Sequence, residues 1–332
     1  MLHRFAKFVA GCTVLLVLAG SLVTSTDSGL SVPDWPTTYG WNMFTFPPSK
    51  WVGGILYEHG HRLIASSVGF LTIILAAWLW MSEPRKWMKW LGVSALGAVI
   101  AQGVLGGLTV MFFLPAPIST AHAGLAEIFF CITVAIALFT SRGWIDAYGG
   151  HVVDTASLRR VATATTVLIY CQILVGATMR HTGAGLAIPD FPLMFGHLWP
   201  THWDAKIAVH FAHRVGALLV ALAVLATGVT VFTRTPLGEL RRPAALLVAL
   251  VSVQITLGAL TVLSKRDVWI NSVHVVCGAL VLTTSLVLTL RTWRAKFAMS
   301  TVRLKPETTV VGNAGGLGSV RLQADHPPRA RA

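Results

Sequence analysis

Eight apolar runs of about twenty residues, joined by short polar stretches, decide what this chain can fold into. A helix of about 20 apolar residues crosses the hydrocarbon core of a bilayer. Such runs lie at roughly 5–24, 58–80, 88–113, 118–140, 158–179, 206–232, 243–263 and 269–291. Backbone polar groups in lipid must be satisfied within the span, which predicts an α-helix for each run. Charged residues make up 12% of the 332 residues, against about 25% in a soluble domain. A soluble enzyme, a disordered chain and a secreted disulfide scaffold are thereby excluded. Charge and turn chemistry mark the span ends, as in Glu83-Pro84-Arg85-Lys86 and Arg241-Arg242-Pro243.

The formal net charge of +13 would ordinarily raise nucleic-acid binding. The basic residues, however, sit in the short joints and the tail, so no nucleic-acid partner is expected. Nineteen Lys and Arg fall on one side of the spans and five on the other, with Arg62 and Arg214 inside them. The positive-inside rule then puts both termini in the cytoplasm, as an even number of spans requires. The first span has signal-peptide features (His3, Arg4 and Lys7 before an apolar core) but takes part in the repeat below and is read as retained. Residues 297–332 carry no apolar period and read as a disordered cytoplasmic tail.

The chain repeats itself. Gly29-Leu30-Ser31-Val32-Pro33-Asp34-Trp35-Pro36 returns as Gly185-Leu186-Ala187-Ile188-Pro189-Asp190-Phe191-Pro192, an offset of 156 that also relates Gly20 to Gly176. At an offset of 152, His61-Arg62 matches His213-Arg214, Gln102 matches Gln254, Gly106 matches Gly258 and His122 matches His274. The predicted architecture is all-α and integral to the membrane: two tandem, pseudo-symmetric four-helix bundles, N-in and C-in. Their expected boundaries are 1–146 and 147–296. With four spans each, both halves enter the membrane in the same direction, so the axis relating them runs along the membrane normal rather than in its plane.

Ionisable groups inside a bilayer cost several kcal/mol each and are functional candidates by default. Those in or at the edge of the spans are Glu58, His59, His61, Arg62, His122, Glu127, His210, His213, Arg214 and His274. A lone membrane His is as well explained by a hydrogen bond across a helix pair. Four at matched positions, all near the outer start of even-numbered spans, are not. In an up-down bundle the second and fourth helices are diagonal, so His61 can face His122 and His213 can face His274. Two imidazoles opposed across a bundle suit the axial positions of a haem. Zinc needs more His, Cys or carboxylate ligands than each pair supplies.

Glu58 shares the helix face of His61 and is replaced by His210 in the second half. That asymmetry suggests chemistry in one bundle and an electron-transfer centre in the other. Glu58 is a candidate proton shuttle, or the partner of Arg62 at i+4. Arg62 and Arg214 are candidate haem-propionate contacts, or they pair with carboxylates or backbone carbonyls nearby. His59 matches Phe211 and reads as a satisfied interfacial residue; Glu127 is a candidate on a proton path. The Pro33-Asp34 and Pro189-Asp190 elements read as turns capping each bundle. Trp35, Tyr39, Trp41 and Trp51 read as an aromatic belt in preference to a lid. Cys12, Cys131, Cys171 and Cys277 all fall in spans and read as small apolar packers.

These features together resemble the haem A synthase family: eight spans in duplicated halves, Glu58-x-x-His61-Arg62, His122, His213-Arg214, His274 and the Gly29–Pro36 loop. The resemblance covers roughly residues 1–295. It implies oxidation of the C8 methyl of haem O to a formyl group, through successive hydroxylations, giving haem A for terminal oxidases. It further implies that His61 and His122 ligate the substrate haem with the catalytic Glu58 beside it, and that His213 and His274 ligate a cofactor haem b. A multi-pass protein of the inner (cytoplasmic) membrane follows, with the lipid bilayer, haem O, an electron donor such as quinol, and a haem O synthase as partners; a homo-oligomer stays open. Some family members carry a cysteine pair in an outer loop, whereas loops 25–57 and 180–206 here hold no Cys. The main alternative is a dihaem b-type, quinol-linked electron carrier, which has no use for the Glu58/His210 difference. A transporter would show matched broken spans, and none is seen.

Overall fold

The computed structural model describes residues 1–145, 156–235 and 238–303. Eight long helices carry the fold: α1 (Leu2–Ser25), α2 (Gly54–Ser82), α3 (Lys86–Met111), α4 (Ala116–Phe139), α6 (Ala156–His181), α7 (Ala205–Arg234), α8 (Gly238–Leu263) and α9 (Val268–Arg303), with a one-turn α5 at Arg142–Ile145. All eight are long and apolar enough to cross a membrane, and the chain is a multi-pass, all-helical membrane protein. Local chemistry sets several of the ends. Asp204 caps α7 by accepting from Ile207 N at 2.7 Å, and Asp267 caps α9 through Trp269 N and Ile270 N. Pro117 lies in the first turn of α4, where a missing N–H leaves no extra gap.

Two helices outrun their expected spans. α8 begins at Gly238, ahead of Pro243, which the sequence reading took as its start. Proline cannot donate to the carbonyl four residues back, here that of Glu239, and the Arg291 guanidinium donates to that oxygen instead. α9 runs to Arg303, past the expected boundary at 296. The rest of the expected tail, from 304 on, and the expected boundary between the halves at 146/147 lie outside the described residues.

Each set of four helices closes on itself. α1 packs on α2 and α4, and α3 on α2 and α4; likewise α6 packs on α7 and α9, and α8 on α7 and α9. The buried apolar side chains fall into two clusters along the same division. Leu75, Leu79, Met88, Phe129 and Ile136 belong to the first, and Val224, Val231, Leu247, Leu282 and Leu288 to the second. In lipid the packing of such faces rests on close contact and interhelical hydrogen bonds rather than on expulsion of water. Hydroxyl pairs supply those bonds in the second set: Thr165–Thr227 at 2.8 Å, Thr166–Ser285 at 2.7 Å and Thr166–Thr289 at 2.8 Å.

The two sets meet where α1 and α4 pack against α6 and α9. Gly124 permits the approach of α4 to α6, since a Cβ there would run into Leu174 at 2.7 Å. The first helix is thus a working member of the assembly, held on three sides by α2, α4 and α9.

Candidate functional site

The four histidines of the repeat stand in equivalent settings. His61 lies seven residues into α2, His122 six into α4, His213 eight into α7 and His274 six into α9. At about 1.5 Å rise per residue, all four sit roughly 10 Å from the same end of the assembly. α2 and α4 are diagonal, each packing on α1 and α3, and α7 and α9 are diagonal in the other set. His61 lies within electrostatic reach of His122, and His213 of His274. The expected pairs are therefore brought together across each bundle interior.

Every one of these rings rests against a glycine of a neighbouring helix. A Cβ on Gly20 would meet His61 Cε1 at 3.0 Å, on Gly106 His122 at 3.3 Å, on Gly176 His213 at 2.8 Å and on Gly258 His274 at 3.1 Å. The glycines are the ones the repeat aligns, so the missing side chain is what lets each ring lie flat against its neighbour. The rings are also short of hydrogen bonds. Nδ1 of His61, His122 and His274 is buried without a partner, whereas buried polar atoms are normally paired. Only His213 has a ring nitrogen held at normal range, its Nδ1 lying 3.0 Å from Gln172 Nε2. Gln102 donates to the carbonyl of His122 at 2.8 Å and Gln172 to that of His213 at 2.7 Å, fixing the helices rather than the rings. Half-buried imidazoles within reach of one another, with unpartnered ring nitrogens and a glycine cradle, are residues that would hold a porphyrin iron.

Glu58 and Arg62 take part in a different structure, the clamp on the outer loop. Glu58 Oε1 pairs with Arg62 Nη2 at 2.7 Å, and its Oε2 accepts from Val32 N at 2.8 Å. Arg62 donates to the carbonyls of Val32, Asp34 and Thr37 at 3.0, 2.7 and 3.0 Å. In the second half His210 stands in for Glu58: its Nδ1 lies 3.2 Å from Ile188 N and its Nε2 3.2 Å from Arg214 Nε, and a neutral imidazole can accept at one of the two. Arg214 reaches the carbonyls of Ile188, Asp190 and Leu193, each 156 residues beyond its counterpart in the first loop. Both arginines thus have backbone carbonyls as partners, and the i+4 pairing of Glu58 with Arg62 is made.

The loops they hold are tight turns. Tyr39-Gly40 and Phe195-Gly196 all have positive φ and connect the bridges Thr38–Trp41 and Met194–His197, the two-residue hairpin geometry that favours glycine at the second position. Asp34 accepts from Tyr39 N and Gly40 N at 2.7 and 2.8 Å, and Asp190 from Phe195 N and Gly196 N at 2.8 Å each. Burial would raise the Asp34 carboxyl, but donors from Gly40, Thr37 and Tyr39 outweigh it and hold it below the ordinary carboxylate range. A lowered folded value means the closure is intact above the ordinary range and is lost as pH falls through the lowered one. Asp34→Ala is expected to expose the 26–53 loop to protease at neutral pH, while the unsubstituted loop opens only in acid; equal cleavage of both at neutral pH would contradict this.

The neighbouring candidates divide. His59 is fully buried, with Nδ1 3.1 Å from the Thr38 hydroxyl and Trp51 and Phe46 packed on its ring at 4.8 and 5.1 Å. Its Nδ1 is satisfied, as expected of an interfacial residue, but its Nε2 is buried without a partner. Trp35 packs on Gly107 of α3, and Trp35, Tyr39 and Trp41 are all exposed. Glu127 is buried, and its Oε2 has no partner. The four cysteines are free. Sequence reasoning passed over Arg180, counted merely as a loop cation. The residue ends α6 and donates to Ser21 O at 2.7 Å and Ser25 Oγ at 2.9 Å on α1.

Residues 3–286 match the model of a family described as cytochrome oxidase assembly protein. A protein of Symbiobacterium thermophilum named haem A synthase is 30% identical over 267 residues, covering 79% of this chain and 85% of its own. A haem A synthase of Halalkalibacterium halodurans is 29% identical over 293 residues, 85% of this chain and 95% of its own. One from Rhizobium etli is 26% identical over 324 residues, 84% and 86% of the two chains.

Proposed function

The chain belongs to the cytochrome oxidase assembly protein family, and from that premise we propose that it is a haem A synthase, oxidising the C8 methyl of haem O to the formyl group of haem A. The observation that carries the reading to residues is the pair of opposed imidazole pairs, each ring cradled by a glycine. His61 and His122 hold the substrate haem O; His213 and His274 hold a resident haem b. The haem b, when bound, supplies one-electron transfer. Duplication of one bundle gives the two sites, and both termini face the cytoplasm across the inner membrane. Two successive hydroxylations, each consuming one O2, two protons and two electrons from an external donor of the quinol type and releasing one water, give a hydrate that loses water to leave the formyl group.

What separates the two bundles is the group three residues before the first ligand. Glu58 gives the first bundle a carboxylate able to take up a proton beside His61; His210 gives the second only a clamp for its loop. Removing hydrogen from a methyl group calls for a proton acceptor at the site with the substrate, and the asymmetry puts one there. Trp35 packs the first loop on Gly107 of α3.

Pigment extraction tests the assignment. Cells expressing the protein with haem O supplied are expected to yield haem A. Unchanged haem O with two haems b per chain would support the electron-carrier reading and remove the synthase. The glycine cradle gives a second expectation. Overpacking costs about 1–3 kcal/mol, so Gly176→Val should weaken haem binding in the second bundle by about tenfold or more, read by haem titration, whereas Gly185→Val in the outer loop, where a Cβ meets nothing within 4 Å, should not.

A further inference from the structure

We propose that Arg180 binds a propionate of the haem held in the second bundle, at the junction of α1, α6 and α9. This rests on the haem reading of His213 and His274. The two arginines that the sequence offered for that task have their donors directed at loop carbonyls, Arg62 at Val32, Asp34 and Thr37 and Arg214 at Ile188, Asp190 and Leu193. Arg180 differs. Its Nη2 donates to Ser21 O and Ser25 Oγ, while its Nε is buried with no acceptor.

No ion pair is made by Arg180 among the described residues, although a guanidinium withdrawn from water needs a counter-charge. The acid within its electrostatic reach is Asp27, whose side chain is 83% exposed and turned to Arg266 at 3.6 Å. Arg266 itself adds a second positive charge at this end. The junction therefore carries a net positive charge, with Arg180 buried and within electrostatic reach of His274, the proposed ligand. Haem propionates are the carboxylates that such a pocket brings.

The surroundings hold the guanidinium in place. Ser25 Oγ, which accepts from Arg180, also accepts from Asn271 Nδ2 at 3.0 Å and shares a hydrogen bond with Ser272 Oγ at 2.9 Å on α9. The arginine is thus fixed to the two helices that join the bundles, and α9 is the one bearing His274. At the repeat offset of 156 the counterpart of Arg180 is Thr24, so the first bundle has no equivalent. A resident haem gains from a fixed anchor; a substrate that must leave does not.

The test uses protein made in haem-deprived cells, with His61→Ala silencing the first bundle, titrated with haem b or with its dimethyl ester, which lacks the propionate charges. A charge-assisted hydrogen bond of the usual strength corresponds to about ten- to hundredfold in affinity. The His61→Ala protein should bind haem b that much more tightly than the ester. Adding Arg180→Gln should remove most of the difference, and Arg180→Lys should restore part of it. With a cation removed from beside the haem, the Arg180→Gln protein should also show a lower midpoint potential. Equal binding of haem b and ester without any change at Arg180 would overturn the proposal, even if Arg180→Gln failed to accumulate, as would full discrimination retained in Arg180→Gln. If His213→Ala binds haem b as tightly as before, the haem reading itself fails, a result distinct from either.

Discussion

Glu58→Gln is expected to leave haem occupancy unchanged and to lower formyl production by about a hundredfold or more, the usual scale for removing a positioned acid–base group. Glutamine has the size of glutamate and keeps one oxygen to accept from Val32 N or Arg62, the two partners of Glu58 at 2.8 and 2.7 Å. What it cannot do is take up a proton. Because Glu58 also clamps the outer loop, a loss of activity alone would not separate the two roles. Asp34→Asn provides the separation: it weakens the same loop at Tyr39 N and Gly40 N and leaves the Glu58 carboxylate in place. Extracted pigment should show haem A from Asp34→Asn at near-normal yield and almost none from Glu58→Gln. Comparable yields from all three proteins would reduce Glu58 to a loop clamp.

The spans and the paired histidines were legible because each rests on a one-dimensional signal. Apolar runs long enough to cross lipid have no other stable home, and a histidine that recurs at a constant offset marks itself as a candidate ligand. The repeat also chose His61 over His59, and the packing of His59 against Thr38, Phe46 and Trp51 agrees with that choice. The partners of Arg62 and Arg214 were hidden for a different reason. Their acceptors are backbone carbonyls 21 to 30 residues away in a folded loop, and every residue type has such a carbonyl. Composition cannot point to them.

Arg180 was missed by the same logic in reverse. A cation at the end of a span reads as an interfacial charge, and only the fold brings α1 near enough for it to reach Ser21 and Ser25. The start of α8 shows the limit of a local rule. Proline signals a boundary unless something else serves the carbonyl it abandons, and Arg291, 52 residues on, does so for Glu239.

His213→Ala is expected to abolish haem binding in the second bundle while the protein still inserts at normal yield. Alanine is the strongest helix former, and α7 keeps its buried Ile207, Val220, Val224 and Val231, so the span has no reason to fail. The ring lies against Gln172 at Nδ1 and against the Gly176 surface at Cε1, so Nε2 is free for a metal once the Gln172 amide turns its oxygen to an Nδ1–H. Its removal leaves His274 as a single ligand, and the haem should leave during purification. His61→Ala provides the contrast, since it should lose bound haem O and retain haem b. The measurement is the pyridine haemochrome spectrum of each purified protein. Imidazole added to His213→Ala should restore part of the lost absorbance by filling the space of the missing ring. A bound-haem spectrum in His213→Ala indistinguishable from that of the unsubstituted protein would remove His213 from the ligand set.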